Sequence, residues 1–175
     1  MGRLSHYKGH EVLLDALREV PDAALVLVGT GERENNLRTR VAELGLQDRV
    51  TLTGYLDDDA LARAYADADL FCLPSLDRAE AFGMVLLEAM RAGLPTVASA
   101  IPGSGVGFVV EQESTGLLVP PSDPPALAAA IRRVAADPAL ARQWGSNARE
   151  RWRTQFTPQA VAQQTQAVYR RVLAR

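Results

Sequence analysis

At 175 residues, with 47% hydrophobic and 23% charged residues, the chain suits one globular domain that buries roughly 70% of its unfolded surface. A formal net charge of −2 gives no broad electrostatic case for nucleic acid, and no apolar run approaches the roughly 20 residues of a membrane span. Cys72 is the only cysteine, which excludes an internal disulfide and favours a cytoplasmic compartment.

In chain order, the first feature is Gly2-Arg3-Leu4, already motif-like and without a signal-peptide pattern. That abruptness suggests a fragment cut at a domain boundary. Arg3 and Lys8, with Gly2 and Gly9, flank a short loop ahead of a helix predicted over 10–19. Two cations so placed suit the two phosphates of a diphosphate, reinforced by the positive end of a helix. Cations near a helix start are also common on plain surfaces. His6 and His10 are spaced like a metal-binding helical pair, but Gly9 intervenes and no third ligand follows, so no metal is expected.

Short β-rich runs then alternate with amphipathic segments. Strands are predicted over 23–29, 49–54, 69–75 and 95–100, and helices over 32–44, 58–67 and 83–92. Gly29-Thr30-Gly31 invites a dinucleotide-binding reading, but position 34 is Glu where a third glycine is required, so a plain tight turn is expected. Val109-Val110 and Leu117 to Val119 offer two further short strands. Asp123 is placed to cap a helix from about Pro125 to Ala136, and Pro138 and Thr157-Pro158 start two more.

This pattern predicts an α/β fold: a Rossmann-like, doubly wound, mainly parallel sheet flanked by helices, with extra C-terminal helices. One domain is expected, its core over about 1–136 and its last helices over about 138–174. Residues 126–175 hold nine Arg against two acids. They read either as solvated helix faces or as a basic surface toward a membrane or another domain.

In such a sheet ligands bind at the carboxyl ends of the strands, where Gly29, Gly54, Ser75 and Ser99 are predicted to fall. The stretch "EAFGMVLLEAM", Glu80 to Met90, follows one of these ends. Glu80 belongs to the loop and Glu88 to the second turn of a helix entered at Phe82-Gly83. The free N–H groups of that first turn can cradle phosphate, and a carboxylate can accept from both hydroxyls of a ribose. A salt bridge from Glu88 to an Arg on a neighbouring helix is the structural alternative, and the spacing leaves both open.

"GRLSHYKG", "LVLVGTGE", "VTLTGYL", "EAFGMVLLEAM" with "AGLPTVAS", and "TGLLVPPSD" resemble, in order and spacing, the nucleotide-sugar-binding half of family 4 retaining glycosyltransferases. The likeness covers about residues 2–135 well and the last helices loosely. It implies the GT-B fold, in which two Rossmann-like domains face each other across a cleft. It further implies that Arg3 and Lys8 neutralise the donor diphosphate, that Glu88 binds the ribose and that Glu80 contacts the transferred sugar. Backbone N–H groups around Phe82, Gly83 and Met84 would touch sugar and phosphate, Gly2 would lie in the donor loop, and Tyr55 near the base.

The implied donor is a GDP- or UDP-hexose, with no metal or other cofactor. The implied acceptor is a glycan or lipid-linked molecule, held by an N-terminal acceptor-binding domain that this chain lacks. The location would be cytoplasmic, peripheral at the inner membrane face through the full-length enzyme. An epimerase or phosphorylase of the same fold, or a non-catalytic scaffold, are the rival readings. The segment "ASAIPGSGVGFVVEQESTG" departs from the commonest family pattern of paired glycines followed by Glu, with Glu111 or Glu113 as candidates for the acidic place.

Overall fold

The computed structural model describes residues 1–174. Strands β1 (Leu25–Val28) and β2 (Val50–Gly54) pair in parallel, as do β3 (Phe71–Leu73), β4 (Thr96–Ser99) and β5 (Gly116–Val119) in the order β3-β4-β5. Within each sheet the strands run the same way, so the loops that follow them lie at one edge of that sheet, as the alternating pattern predicts.

Helices α1 (His10–Leu17), α2 (Glu34–Glu43), α3 (Asp58–Ala66), α4 (Met84–Ala92), α5 (Val106–Val109), α6 (Pro124–Ala135), α7 (Pro138–Arg151) and α8 (Pro158–Leu173) complete the described fold. Helix α1 packs on α2 and α6, whereas α4 packs on α3 and α7. The two groups bury separate clusters. Leu14, Leu37, Leu127 and Val134 belong to one, and Leu86, Ala89, Val106 and Val109 to the other.

One expectation is corrected. Val109 ends the short helix α5 and Val110 follows as its C-cap, so Val109-Val110 forms no strand; both side chains are buried in the second cluster. The expected parallel α/β fold is present, with its strands hydrogen-bonded in two groups, β1-β2 and β3-β4-β5. Residues 2–4 run beside the end of β1, with the Gly2 N–H donating to the Val28 carbonyl and the Leu4 N–H to the Thr30 carbonyl, both at 2.9 Å.

That contact explains Gly29-Thr30-Gly31. A Cβ on Gly29 would lie 1.9 Å from the Gly2 carbonyl oxygen, and one on Gly31 2.4 Å from that of Leu4. Two glycines are required because one backbone lies directly on another.

The C-terminal helices are capped as their sequence predicts. Asp123 accepts from the Ala126 N–H, Asp137 from Ala139 and Leu140, and Thr157 from Ala160. A π-helical turn, Trp152–Phe156, joins α7 to α8. Much of the basic charge in this region ties elements together. Arg149 donates to the Ala92 carbonyl at the end of α4, and Arg151 to the Phe108 and Val109 carbonyls and to Glu111. Arg133 pairs with Glu113 at 2.8 Å. No described helix is long and apolar enough to cross a membrane.

Candidate functional site

The loops at the carboxyl edge of the strands carry the candidate residues. A 3-10 turn, His6–Lys8, ends at Gly9 and leads into α1. The Leu76 N–H donates to the Tyr7 carbonyl at 2.8 Å, fastening this turn to the loop after β3. Lys8 is thereby turned inward, and its Nζ lies 2.7 Å from Glu80 Oε2, with both side chains over nine-tenths buried.

Ser75, fully buried just after β3, donates its hydroxyl to the same oxygen at 2.9 Å. A buried carboxylate needs this: without a counter-charge its desolvation costs several kcal/mol. Among the described residues no hydrogen bond reaches Glu80 Oε1, so that oxygen retains its accepting capacity. Lys8 and Glu80, assigned by the sequence to different parts of a ligand, are thus one ion pair. In the sequence Ser75 marks only a strand end; the signal for its role is its place five residues before Glu80.

The Glu80 loop is held from behind. Ser104 donates to the Glu80 carbonyl, and the Gly105 N–H to the Ala81 carbonyl at 2.7 Å. The glycine-rich segment after β4 therefore positions this loop. The Phe82 ring points away toward the C-terminal turn and meets Phe156 edge-on at 6.3 Å.

Gly83 starts α4 in the left-handed conformation, with φ 81° and no side-chain cap. The first-turn N–H groups at Met84 and Val85 are consequently left to solvent or a ligand. Met84 itself is 64% exposed.

Glu88 lies one turn further on, exposed. Its Oε2 accepts from the Tyr65 hydroxyl of α3 at 3.0 Å, and no described Arg pairs with it. The salt-bridge alternative is therefore set aside. Burial first, then the Glu88 charge, pushes the Tyr65 phenol upward, which keeps it a donor. Sequence reasoning missed Tyr65; the clue was a tyrosine on a half-buried helix face, whose hydroxyl normally finds a partner.

Three further candidates stand at the rim. Arg3 is largely exposed, 3.4 Å from Glu32. Tyr55, just past β2, is 80% exposed. Gly2, with φ 125°, lies against the Lys8 side chain, where a Cβ would sit 3.9 Å from Nζ. The structure does not bring Arg3 onto the Lys8–Glu80 pair.

His6 is exposed and His10 buried, so the two do not form a ligand pair. Among the described residues no group of three or more His, Cys, Asp or Glu is arranged to hold a metal ion. A hollow of about 450 Å³ between α1 and α2, lined by Glu11, Asp15 and Arg40 among others, lies apart from these residues.

The sequence profile described as glycosyl transferases group 1 matches residues 1–151. D-rhamnosyltransferase WbpZ of Pseudomonas aeruginosa is 38% identical over 157 residues, which are 90% of this chain and 40% of that protein. Lipopolysaccharide core biosynthesis glycosyltransferase LpsD of Rhizobium meliloti is 38% identical over 92% of this chain and 45% of its own length. The chain thus spans less than half of these relatives.

Among solved structures, sucrose-phosphate synthase from Thermosynechococcus elongatus superposes with a TM-score of 0.84 at 40% identity, over 99% of this chain and 45% of that one. Anabaena HepE in complex with UDP-glucose gives 0.82 at 30% identity, over 96% of this chain and 47% of that one.

Proposed function

Because the chain belongs to the glycosyl transferases group 1 family, we propose that it is the donor-binding domain of a family 4 retaining hexosyltransferase. It binds a GDP- or UDP-hexose, and the whole protein has the two-domain GT-B arrangement, with the acceptor held by a separate N-terminal domain. The observation that carries this reading is the buried convergence of Lys8 and Ser75 on one oxygen of Glu80. It stands beside the uncapped start of α4, with Glu88 exposed on the same helix.

Each group then has a task. Lys8 has three donors, so it can hold Glu80 and still face a phosphate oxygen. Arg3, exposed at the rim, swings onto the diphosphate, and the α4 N–H groups add their partial positive charge. Glu80 Oε1 accepts from a hydroxyl of the transferred sugar. Glu88, steadied by Tyr65, accepts from the ribose hydroxyls, while Tyr55 stacks near the base. The backbone at Gly2, Phe82, Gly83 and Met84 borders sugar and phosphate.

In the transfer step the bond from the sugar's anomeric carbon to the diphosphate oxygen breaks. The acceptor oxygen bonds that carbon on the same face, and its proton passes to the leaving phosphate. The cations and the helix start stabilise the developing charge, so a metal is not required. The cleft must close and exclude water for this stabilisation to be strong; the chain alone therefore binds donor without efficient transfer. The acceptor is a glycan or lipid-linked molecule, and the full enzyme works in the cytoplasm at the inner membrane face.

The test is calorimetric titration with GDP, UDP, ADP and their sugar conjugates. Charge-assisted contacts of about 1.5–3 kcal/mol each, set against ordering costs, give dissociation constants of roughly micromolar to millimolar. Absence of heat with every one of these ligands, in a folded sample, would end this reading.

A further inference from the structure

A second hollow, of about 270 Å³, opens at the start of α1 and is lined by Ser5, His10, Glu11, Arg33, Leu37 and Leu76 among others. It lies on the same edge of the fold as the Lys8–Glu80 pair, bounded by the loops that follow β1, β3 and β5, but neither Lys8 nor Glu80 lines it.

Three features mark it as a site. Ser5, 8% exposed, precedes the 3-10 turn without capping it, and its buried Oγ has no hydrogen-bond partner among the described residues. Buried hydroxyls are normally paired, so an orphan at a hollow points to a group that completes it. Beside it His10 is 7% exposed, and burial pushes its imidazolium down to about 4, leaving a neutral ring with one donor and one acceptor nitrogen. Finally, α1 begins at Gly9 with no side-chain cap, so its first-turn N–H groups are available.

The charge balance selects the ligand. Arg33 is paired with Glu11, so the hollow has no net cation to offer, and a phosphate would meet the Glu11 carboxylate. Hydroxyl and imidazole both give and accept hydrogen bonds, and Leu37, Leu76 and Val12 supply an apolar wall. That combination matches a sugar ring, with hydroxyls around its edge and C–H groups on its face. The volume falls below the ~300–1,000 Å³ of a drug-sized pocket, which suits a single ring.

We propose that this hollow is a subsite for one outlying neutral hexopyranose unit of the acceptor, whose reacting end the separate N-terminal domain holds, and that it is distinct from the nucleotide-sugar site. Only the source of the sugar rests on the glycosyl-transfer reading above; the binding itself does not.

The experiment is saturation-transfer NMR of the chain with methyl α-D-glucopyranoside and methyl α-D-mannopyranoside, alone and with excess UDP-glucose or GDP-mannose. Transfer to the ring protons of at least one glycoside is expected, and it should persist when the nucleotide sugar is added. Ser5→Ala should weaken it about fivefold, the worth of one ordinary hydrogen bond. The same variant should melt no lower than the parent chain, because it deletes an unpartnered hydroxyl, and its nucleotide titrations should be unchanged. No transfer from the folded chain to either glycoside overturns the proposal. So does equal transfer in Ser5→Ala and His10→Leu, which means the hollow holds water only, and so does loss of signal on adding nucleotide sugar. Ser5-dependent glycoside binding without any nucleotide binding would remove the donor reading and leave this one standing.

Discussion

Lys8 Nζ and Glu80 Oε2 lie 2.7 Å apart in a setting where each side chain is less than a tenth exposed. Seventy-two residues separate them in sequence, and only the packing of the Tyr7 turn on the β3 loop brings them together. Truncating one partner strands the other. Lys8→Met should therefore destabilise the chain by about 3–5 kcal/mol in a denaturant titration. The double variant Lys8→Met with Glu80→Gln should recover part of that loss while failing to bind diphosphates. Equal stability of the parent chain and Lys8→Met would show that the pair is not buried in solution.

Glu88 behaves in the opposite way, because it is exposed and held only by Tyr65. Glu88→Gln should shift stability by less than about 0.5 kcal/mol. It should also weaken ribonucleotides by ~10-fold or more, as expected for losing charged hydrogen bonds. Tyr65→Phe should weaken them less, since the carboxylate remains but is no longer steered. Paired melting curves and nucleotide calorimetry would separate the two.

Gly29 is held with φ 130°, and its Cβ position lies 1.9 Å from the Gly2 carbonyl oxygen. Gly29→Ala should cost at least ~1–3 kcal/mol from the backbone conformation alone, with the clash adding to it. It should also displace the Gly2–Arg3 loop and weaken diphosphate binding, whereas a substitution at exposed Gln47 should change neither. Chemical-shift mapping of the Gly2–Lys8 amides would show the displacement directly.

His10 gives the chain a pH dependence. Its folded pKa is about 4 against the ordinary histidine value of 6.5, with burial the main cause. Between those values the unfolded chain binds the extra proton and the folded chain does not, so stability increases with pH across that window. The contribution is fully present above about pH 6.5 and lost as pH falls through about 4, a span worth about 3 kcal/mol. His10→Leu should flatten this part of the stability profile, measured by urea titration at several pH values.

The fold is readable from local chemistry. Apolar runs ending at Gly29, Gly54 and Pro74, helices opened by Asp123-Pro124, Asp137-Pro138 and Thr157-Pro158, and the alternation of the two periods lead to a parallel α/β fold. These signals lie within a few residues of one another, and nothing remote overrides them. Val109-Val110 misleads for the complementary reason: two β-branched residues look strand-like in isolation, yet burial against the second cluster favours a helical turn.

The sequence by itself determined which residues reach the carboxyl ends of the strands, because strand ends and helix starts are local and the strands of each sheet run parallel. It thereby placed Glu80, Gly83 and Glu88 in one neighbourhood; the Arg3–Lys8 loop follows no predicted strand and joined them only through the family resemblance. Only the tertiary structure decided their partners. Lys8 joins Glu80 rather than standing free beside Arg3, Ser75 completes that pair, Tyr65 steadies Glu88 and Phe82 turns its ring to Phe156. Each of those contacts joins segments distant in sequence, and their energies depend on burial and on distances of a few ångströms. Neither quantity exists until the chain has folded.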